Sequence, residues 1–97
     1  MILDFADRAT EDIFNGVRSK GARRCLPPEL WQVTQRKLDR INRAAEPRDL
    51  ADPPGNRLEA LKGDHVGFFS IRVNDQYRIV FRFQNGDARD VQVVDYH

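Results

Sequence analysis

The sequence predicts one α+β domain over residues 1–97, two helices packed on a mainly antiparallel β-sheet in the order β-α-α-β-β-β-β. Three observations predict it. Apolar residues recur at helical spacing as far as Pro47. Beyond the turn-rich stretch RDLADPPGN the period falls to two. Asn85-Gly86 then separates two alternating runs, which is a hairpin signal. Helices first and strands afterwards make a segregated α+β arrangement.

MILDF reads as a short opening strand. Asp4 is the candidate cap of the helix that follows, with Asp7 three positions on. That helix runs to about Asn15, places Ala6, Ala9, Ile13 and Val17 on one face, and stops at a left-handed Gly16. VRSKGARRCL is a basic connector. The second helix enters through Pro27-Pro28, where a missing N–H costs nothing, and ends at Pro47. Leu30, Thr34, Leu38, Ile41 and Ala45 form its stripe, with Val33 and Ala44 beside it and Arg36, Arg40 and Arg43 opposite. RLEAL opens the sheet. In GFFSIRV, Phe69, Ile71 and Val73 oppose Phe68, Ser70 and Arg72. In YRIVFRF, Tyr77, Ile79, Phe81 and Phe83 oppose Arg78, Val80 and Arg82. The last strand puts Val91 and Val93 on one face. One sheet face therefore packs on the helices, and the other, carrying Arg72, Arg78 and Arg82, is polar and open.

Composition narrows the function classes. Hydrophobic content is 40% and charged content 32%, which suits a soluble globular chain. No apolar run approaches the ~18 residues of a membrane span, and the acidic N-terminus does not resemble a signal peptide. The single Cys25 has no internal partner and fits a reducing cytoplasm. The net charge of +1 is unevenly spread: residues 18–43 hold eight basic and two acidic side chains. Such a segment suits a phosphate-bearing partner or a solvated helix face. One Cys and two His give no zinc site, and neither a glycine-rich phosphate loop nor a nucleophile elbow is present.

What remains is cationic and late in the chain. Lys62, Arg78 and the terminal Asp95, Tyr96 and His97 would suit phosphodiester chemistry, which needs cations against a phosphorane, a base and an acid. The residues alone leave open a plainer reading, in which the sheet arginines solubilise an open face, His65 is a loop residue, Trp31 edges the core and Cys25 is a small buried hydrophobe.

Four stretches, PPGNRLEALKGD, SIRVNDQYRI, NGDA and the terminal VVDYH, resemble in order the HigB toxins of bacterial type II toxin–antitoxin pairs, within the RelE/ParE superfamily. The resemblance implies a cytoplasmic ribosome-dependent endoribonuclease that cuts messenger RNA in the ribosomal A site and so inhibits translation. It implies no cofactor and no metal, attack of a 2′-hydroxyl on its own 3′-phosphate, and a cyclic phosphate product. It also implies a HigA-like helix-turn-helix antitoxin, with operator DNA met only through the antitoxin complex and no membrane.

Carried over by position, Lys62 would neutralise the scissile phosphate and Arg78 would stabilise the phosphorane. Asp95 and His97 are the candidates for proton transfer, and Tyr96 would orient or stack on a base. All three should reach the open face beside Arg78. Arg18, Lys20, Arg23, Arg24, Arg36, Arg40 and Arg43, with Arg72 and Arg82 on the sheet, are the candidate RNA and ribosome contacts. Glu59 stands where some members have a histidine, His65 where an arginine is common, and Phe68-Phe69 where a Trp or Tyr is frequent. Two other readings keep the same fold: a non-catalytic ParE-like toxin that blocks a target such as DNA gyrase, and a module that binds RNA or protein without cutting.

Overall fold

The structure, a computed structural model, describes residues 1–95. Three α-helices pack on one face of a four-stranded antiparallel sheet. The helices are α1 (Arg8–Asn15), α2 (Lys20–Cys25) and α3 (Trp31–Arg43). The strands are β1 (Glu59–Ala60), β2 (Phe68–Arg72), β3 (Tyr77–Gln84) and β4 (Asp87–Asp95), in the spatial order β1-β2-β3-β4.

The opening residues form no strand of their own. They run parallel to β4 through two bridges, Ile2 to Ala88 and Phe5 to Val91, and so cover an edge that would otherwise stay open. Asp4 is consequently not the helix cap. Its carboxylate accepts from the Asp90 N–H at 2.6 Å, while Asp7 caps α1 by accepting from the Thr10 N–H at 2.7 Å. Gly16 does end α1 in the left-handed region, at φ 76°. Val17 then lies beyond that stop and is exposed, and the buried face of α1 is Thr10, Asp12 and Ile13.

The predicted connector folds as α2. Ser19 caps it through the Ala22 N–H at 3.0 Å, and Ala22 and Leu26, one turn apart, are fully buried. Trp31 donates its indole N–H to the Leu26 carbonyl at 2.8 Å from the edge of the core, as its amphipathic ring suggests. The stripe of α3 is Thr34, Leu38 and Ile41. Ala44, past the last helical residue, takes the buried place expected for Ala45. These side chains meet Ile71, Ile79, Phe81, Val91 and Val93 of the sheet.

Two residues of β4, Asp90 and Val91, face the single Phe81 of β3, because the register shifts by one between Val80 and Arg82. This bulge lets Ala88, Val91 and Val93 all face the core, which strict alternation forbids. Its first residue, Asp90, sits at φ 53°, a region Asp tolerates better than most. Beyond the bulge, the Val93 N–H finds the buried Thr10 hydroxyl at 3.0 Å.

Candidate functional site

The sheet face turned away from the helices is built by alternation. Arg78 and Val80 lie two apart on β3, and their antiparallel partners are Val94 and Gln92 on β4 and Arg72 and Ser70 on β2. Arg78 is thus on the predicted face, but it is buried, at 8% exposure. That corrects the expectation of an open arginine. Its guanidinium reaches across β2 toward β1. Nη1 donates to Glu59 Oε1 at 3.2 Å, and Nη2 donates to the Arg57 carbonyl at 2.6 Å. Arg57 presents that carbonyl from a left-handed backbone, φ 47°, after the turn Pro54–Asn56. Under this reach lies the fully buried Ser70, whose hydroxyl has no hydrogen-bond partner among the described residues.

Lys62 is exposed and leads into the turn Gly63–His65. It lines a hollow of about 630 Å³ with Ala6, Leu61, His65, Phe68, Val80, Asp90, Gln92 and Val94. Arg78 lines a smaller one, about 170 Å³, with Arg57, Arg72, Asn74 and Asp75. Val94, opposite Arg78 in register, and Val80, two residues along, both line the Lys62 hollow. The two cations therefore share one sheet face, in adjoining hollows.

Asp95 departs from expectation. It ends β4 opposite Tyr77, so alternation turns it to the helix side with Val93, and its Oδ2 accepts from Gln76 Nε2 at 3.0 Å. Among the described residues it does not join Arg78 and Lys62. Tyr96 and His97 lie outside the described residues.

Arg72 and Arg82 stand on the Arg78 face, each beside an acid. Arg72 donates to Asp75, and Arg82 lies 3.6 Å from Asp90 with its guanidinium over the Phe68 ring at 5.9 Å. The helix cations are elsewhere. Arg36, Arg40 and Arg43 line one hollow with Lys37, Asp39 and Asn56, on the side of α3 opposite its buried stripe. Arg40 donates to the Asp52 carbonyl at 3.0 Å, and Arg43 pairs with Asp39 at 2.9 Å. Lys37 donates to Asn56, and burial, then the charges of Arg36 and Arg40, pull its ammonium below the ordinary lysine range. Lys20, Arg23 and Arg24 are exposed on α2, and Arg18 just before it. The core separates the α3 cations from Lys62 and Arg78.

Four residues that sequence reasoning gave no site role belong to this geometry: Glu59 on Arg78, and His65, Asp90 and Gln92 around the Lys62 hollow. Strand register could have pointed to Gln92, which faces Val80. The family resemblance marked the positions of Glu59 and His65, where other members have a histidine and an arginine, and nothing local marks Asp90. No group of three or more His, Cys, Asp or Glu among the described residues is placed to hold a metal.

The same layer of helices over one face of a four-stranded antiparallel sheet is found in solved bacterial toxins. The YoeB–YefM toxin–antitoxin complex of Staphylococcus aureus contains a chain that superposes with TM-score 0.61 at 15% identity, over 100% of this chain and 95% of that one. The YoeB/ParE toxin of Agrobacterium tumefaciens gives 0.58 at 14% identity, over 99% and 98%. In sequence, residues 3–97 match the HigB-like toxin family, described as the RelE-like toxin of the type II toxin–antitoxin system HigB, and the chain belongs to that family. It is 38% identical over 88 residues to Toxin HigB-1 of Vibrio cholerae serotype O1, covering 91% of this chain and 90% of the relative. It is 39% identical over 71 residues to Endoribonuclease HigB of Proteus vulgaris, covering 67% and 77%.

Proposed function

We propose that this toxin is an endoribonuclease that cuts messenger RNA in the ribosomal A site and stops translation. The observation that carries the reading is Arg78, held by Glu59 and the Arg57 carbonyl on the face where Lys62 lines a hollow. A preset guanidinium stabilises charge that grows on a phosphorane without reorganising first. Lys62 neutralises the scissile phosphate from the rim. Charge compensation then comes from the protein, and the reaction draws on no metal: the 2′-hydroxyl attacks the adjacent phosphorus, the 5′-oxygen leaves, and a cyclic phosphate remains. Glu59, the carboxylate paired with that guanidinium, takes the hydroxyl proton in this reading. Tyr96 and His97 supply the remaining proton transfer and base orientation.

The cations of α2 and α3, with Arg18, give a second contact to ribosomal RNA phosphate, from the side of the molecule opposite the cutting face. The Staphylococcus aureus neighbour is a toxin–antitoxin complex. By the same logic this chain works in the cytoplasm with a HigA-like helix-turn-helix antitoxin, which silences the toxin and brings the pair to operator DNA. No helix among the described residues is long and apolar enough to cross a membrane.

Primer extension on messages after induced expression tests the reading. Breaks should map within codons and vanish with Lys62→Met and Arg78→Lys. Growth arrest with intact messages would instead indicate a toxin that blocks its target without cutting.

A further inference from the structure

The hollow beside Lys62 has the make-up of a base pocket. Its walls are Leu61, Phe68, Val80, Val94 and Ala6, and its polar groups are few. Two of them, Asp90 and Gln92, lie two residues apart on β4. Asp90 is held in place three ways: the bulge re-aims it, its N–H is fixed by Asp4 Oδ1 at 2.6 Å, and Arg82 stands 3.6 Å from its carboxylate. A carboxylate can only accept hydrogen bonds, while the Gln92 carboxamide offers one donor group and one acceptor. Phe68 lines the wall and makes a T-shaped ring contact with His65, centroids 5.8 Å apart.

We propose that Asp90 and Gln92 set base specificity, by seating one unpaired base that carries an exocyclic amino group in this hollow. The inference rests on the endoribonuclease reading and deepens it. Adenine, cytosine and guanine each offer an amino donor to the Asp90 carboxylate, with a neighbouring ring nitrogen or carbonyl for Gln92. Uracil has no amino group. Its one donor on that edge, N3–H, lies between two carbonyl oxygens, and these flanking acceptors repel the carboxylate and leave it a poorer contact than an amino group. Lys62 holds the phosphate of the same nucleotide at the rim.

The test is binding of 2′-O-methyl trinucleotides AAA, CCC and UUU to the full chain, read by NMR from the methyl groups of Leu61, Val80 and Val94. The methylated 2′-oxygen cannot attack, so cutting does not enter the measurement. AAA and CCC should bind about tenfold or more tightly than UUU, the discrimination expected of one well-formed polar base contact. Asp90→Asn keeps the size and tolerates the left-handed backbone but adds a donor, and should narrow that ratio to about threefold or less. Gln92→Leu should weaken AAA and leave UUU nearly unchanged. Equal binding of all three, an unchanged ratio in Asp90→Asn, or shifts confined to residues outside the hollow would overturn the proposal. A chain that cuts messages without base preference loses the pocket and keeps the nuclease. One that binds AAA selectively but cuts nothing keeps the pocket and loses the nuclease.

Discussion

Arg78 and Glu59 are joined across an intervening strand: the guanidinium leaves β3, passes over β2 and meets the carboxylate of β1 at 3.2 Å. The same guanidinium donates to the Arg57 carbonyl at 2.6 Å, so one side chain ties the loop before β1 to the middle of the sheet. Arg78 therefore has a structural role beside the catalytic one proposed for it. Arg78→Ala leaves Glu59 and the Arg57 carbonyl without this cation and opens space over Ser70. Glu59 is half exposed, so water screens the pair, and the loss should be about 1–2 kcal/mol. A domain of this size would then melt several degrees lower, roughly 4–8 °C per kcal/mol. Cutting should fall by at least about 100-fold, the usual effect of removing one transition-state donor. Arg78→Lys keeps the charge without the fork, and separates the two roles: melting nearly as wild type, with cutting still strongly reduced. Thermal unfolding beside cleavage of a defined message checks both, and an Arg78→Lys protein that cuts at full rate would remove the arginine from the mechanism.

Glu59→Gln keeps the shape and a hydrogen-bond acceptor for Arg78 but loses proton-accepting power. Cutting should fall by roughly 100-fold or more if Glu59 takes the hydroxyl proton. Binding of an uncuttable 2′-O-methyl RNA should persist. A Glu59→Gln rate within about threefold of wild type would leave Glu59 as a tether for Arg78 only.

The alkaline side of the stability profile belongs partly to Lys37. Its ammonium titrates below the ordinary 10.5 because burial and the charges of Arg36 and Arg40 disfavour the charged form. The folded state thus releases this proton before the unfolded state does. Relative stability is lost as pH falls through the folded pKa and is fully present above 10.5. Against a Lys37→Gln reference, the wild-type melting temperature should rise as pH approaches 10.5 from below. A difference that stays flat or reverses over that window would refute the assignment.

Asp90 tests the bulge by stereochemistry alone. At φ 53°, a β-branched residue meets the clash that an L side chain suffers in left-handed backbone. Asp90→Val should cost about 1–2 kcal/mol, whereas Asp90→Gly, free of that clash, should stay within about 1 kcal/mol of wild type. Equal melting temperatures for the two variants would show that the bulge does not depend on this conformation.

The sheet was the most legible part of the chain. Alternation in YRIVFRF put Ile79 and Phe81 inside and Arg78 on the far face, and the Asn85-Gly86 turn fixed the hairpin that pairs β3 with β4. Depth was not legible. Arg78 is buried because Arg57 and Glu59, about twenty positions earlier, fold over it, and no local pattern reports a contact at that separation. The bulge was equally hidden: Asp90 carries no glycine to mark it, and only the shared core position of Ala88 and Val91 betrays the extra residue. The helix α2 escaped because six residues with four-residue spacing between Ala22 and Leu26 give too short a period to read. Asp95 shows how one residue of alternation decides a site. Placed after two valines it reads as part of a cluster, yet its pairing with Tyr77 turns it from the cations.

Cys25 offers a probe of the helical layer. It is partly buried between helices, and burial, with the Asp7 carboxylate adding to it, pushes the thiol above its ordinary 9.0, opposed by a hydrogen bond with Thr10. The thiolate is the reactive form, so the folded chain should react with iodoacetamide at pH 8 at least about tenfold more slowly than the unfolded chain. The linkage runs opposite to that of Lys37. The folded state holds this proton longer, so the contribution is complete below 9.0 and is lost as pH rises through the folded pKa. A Cys25→Ala variant should therefore lose less of its melting temperature than wild type between pH 8.5 and the onset of alkaline unfolding. Fast native-state alkylation at the unfolded rate would mean that the contact of α2 with α1 opens far more often than the capped, buried Ala22–Leu26 turn allows.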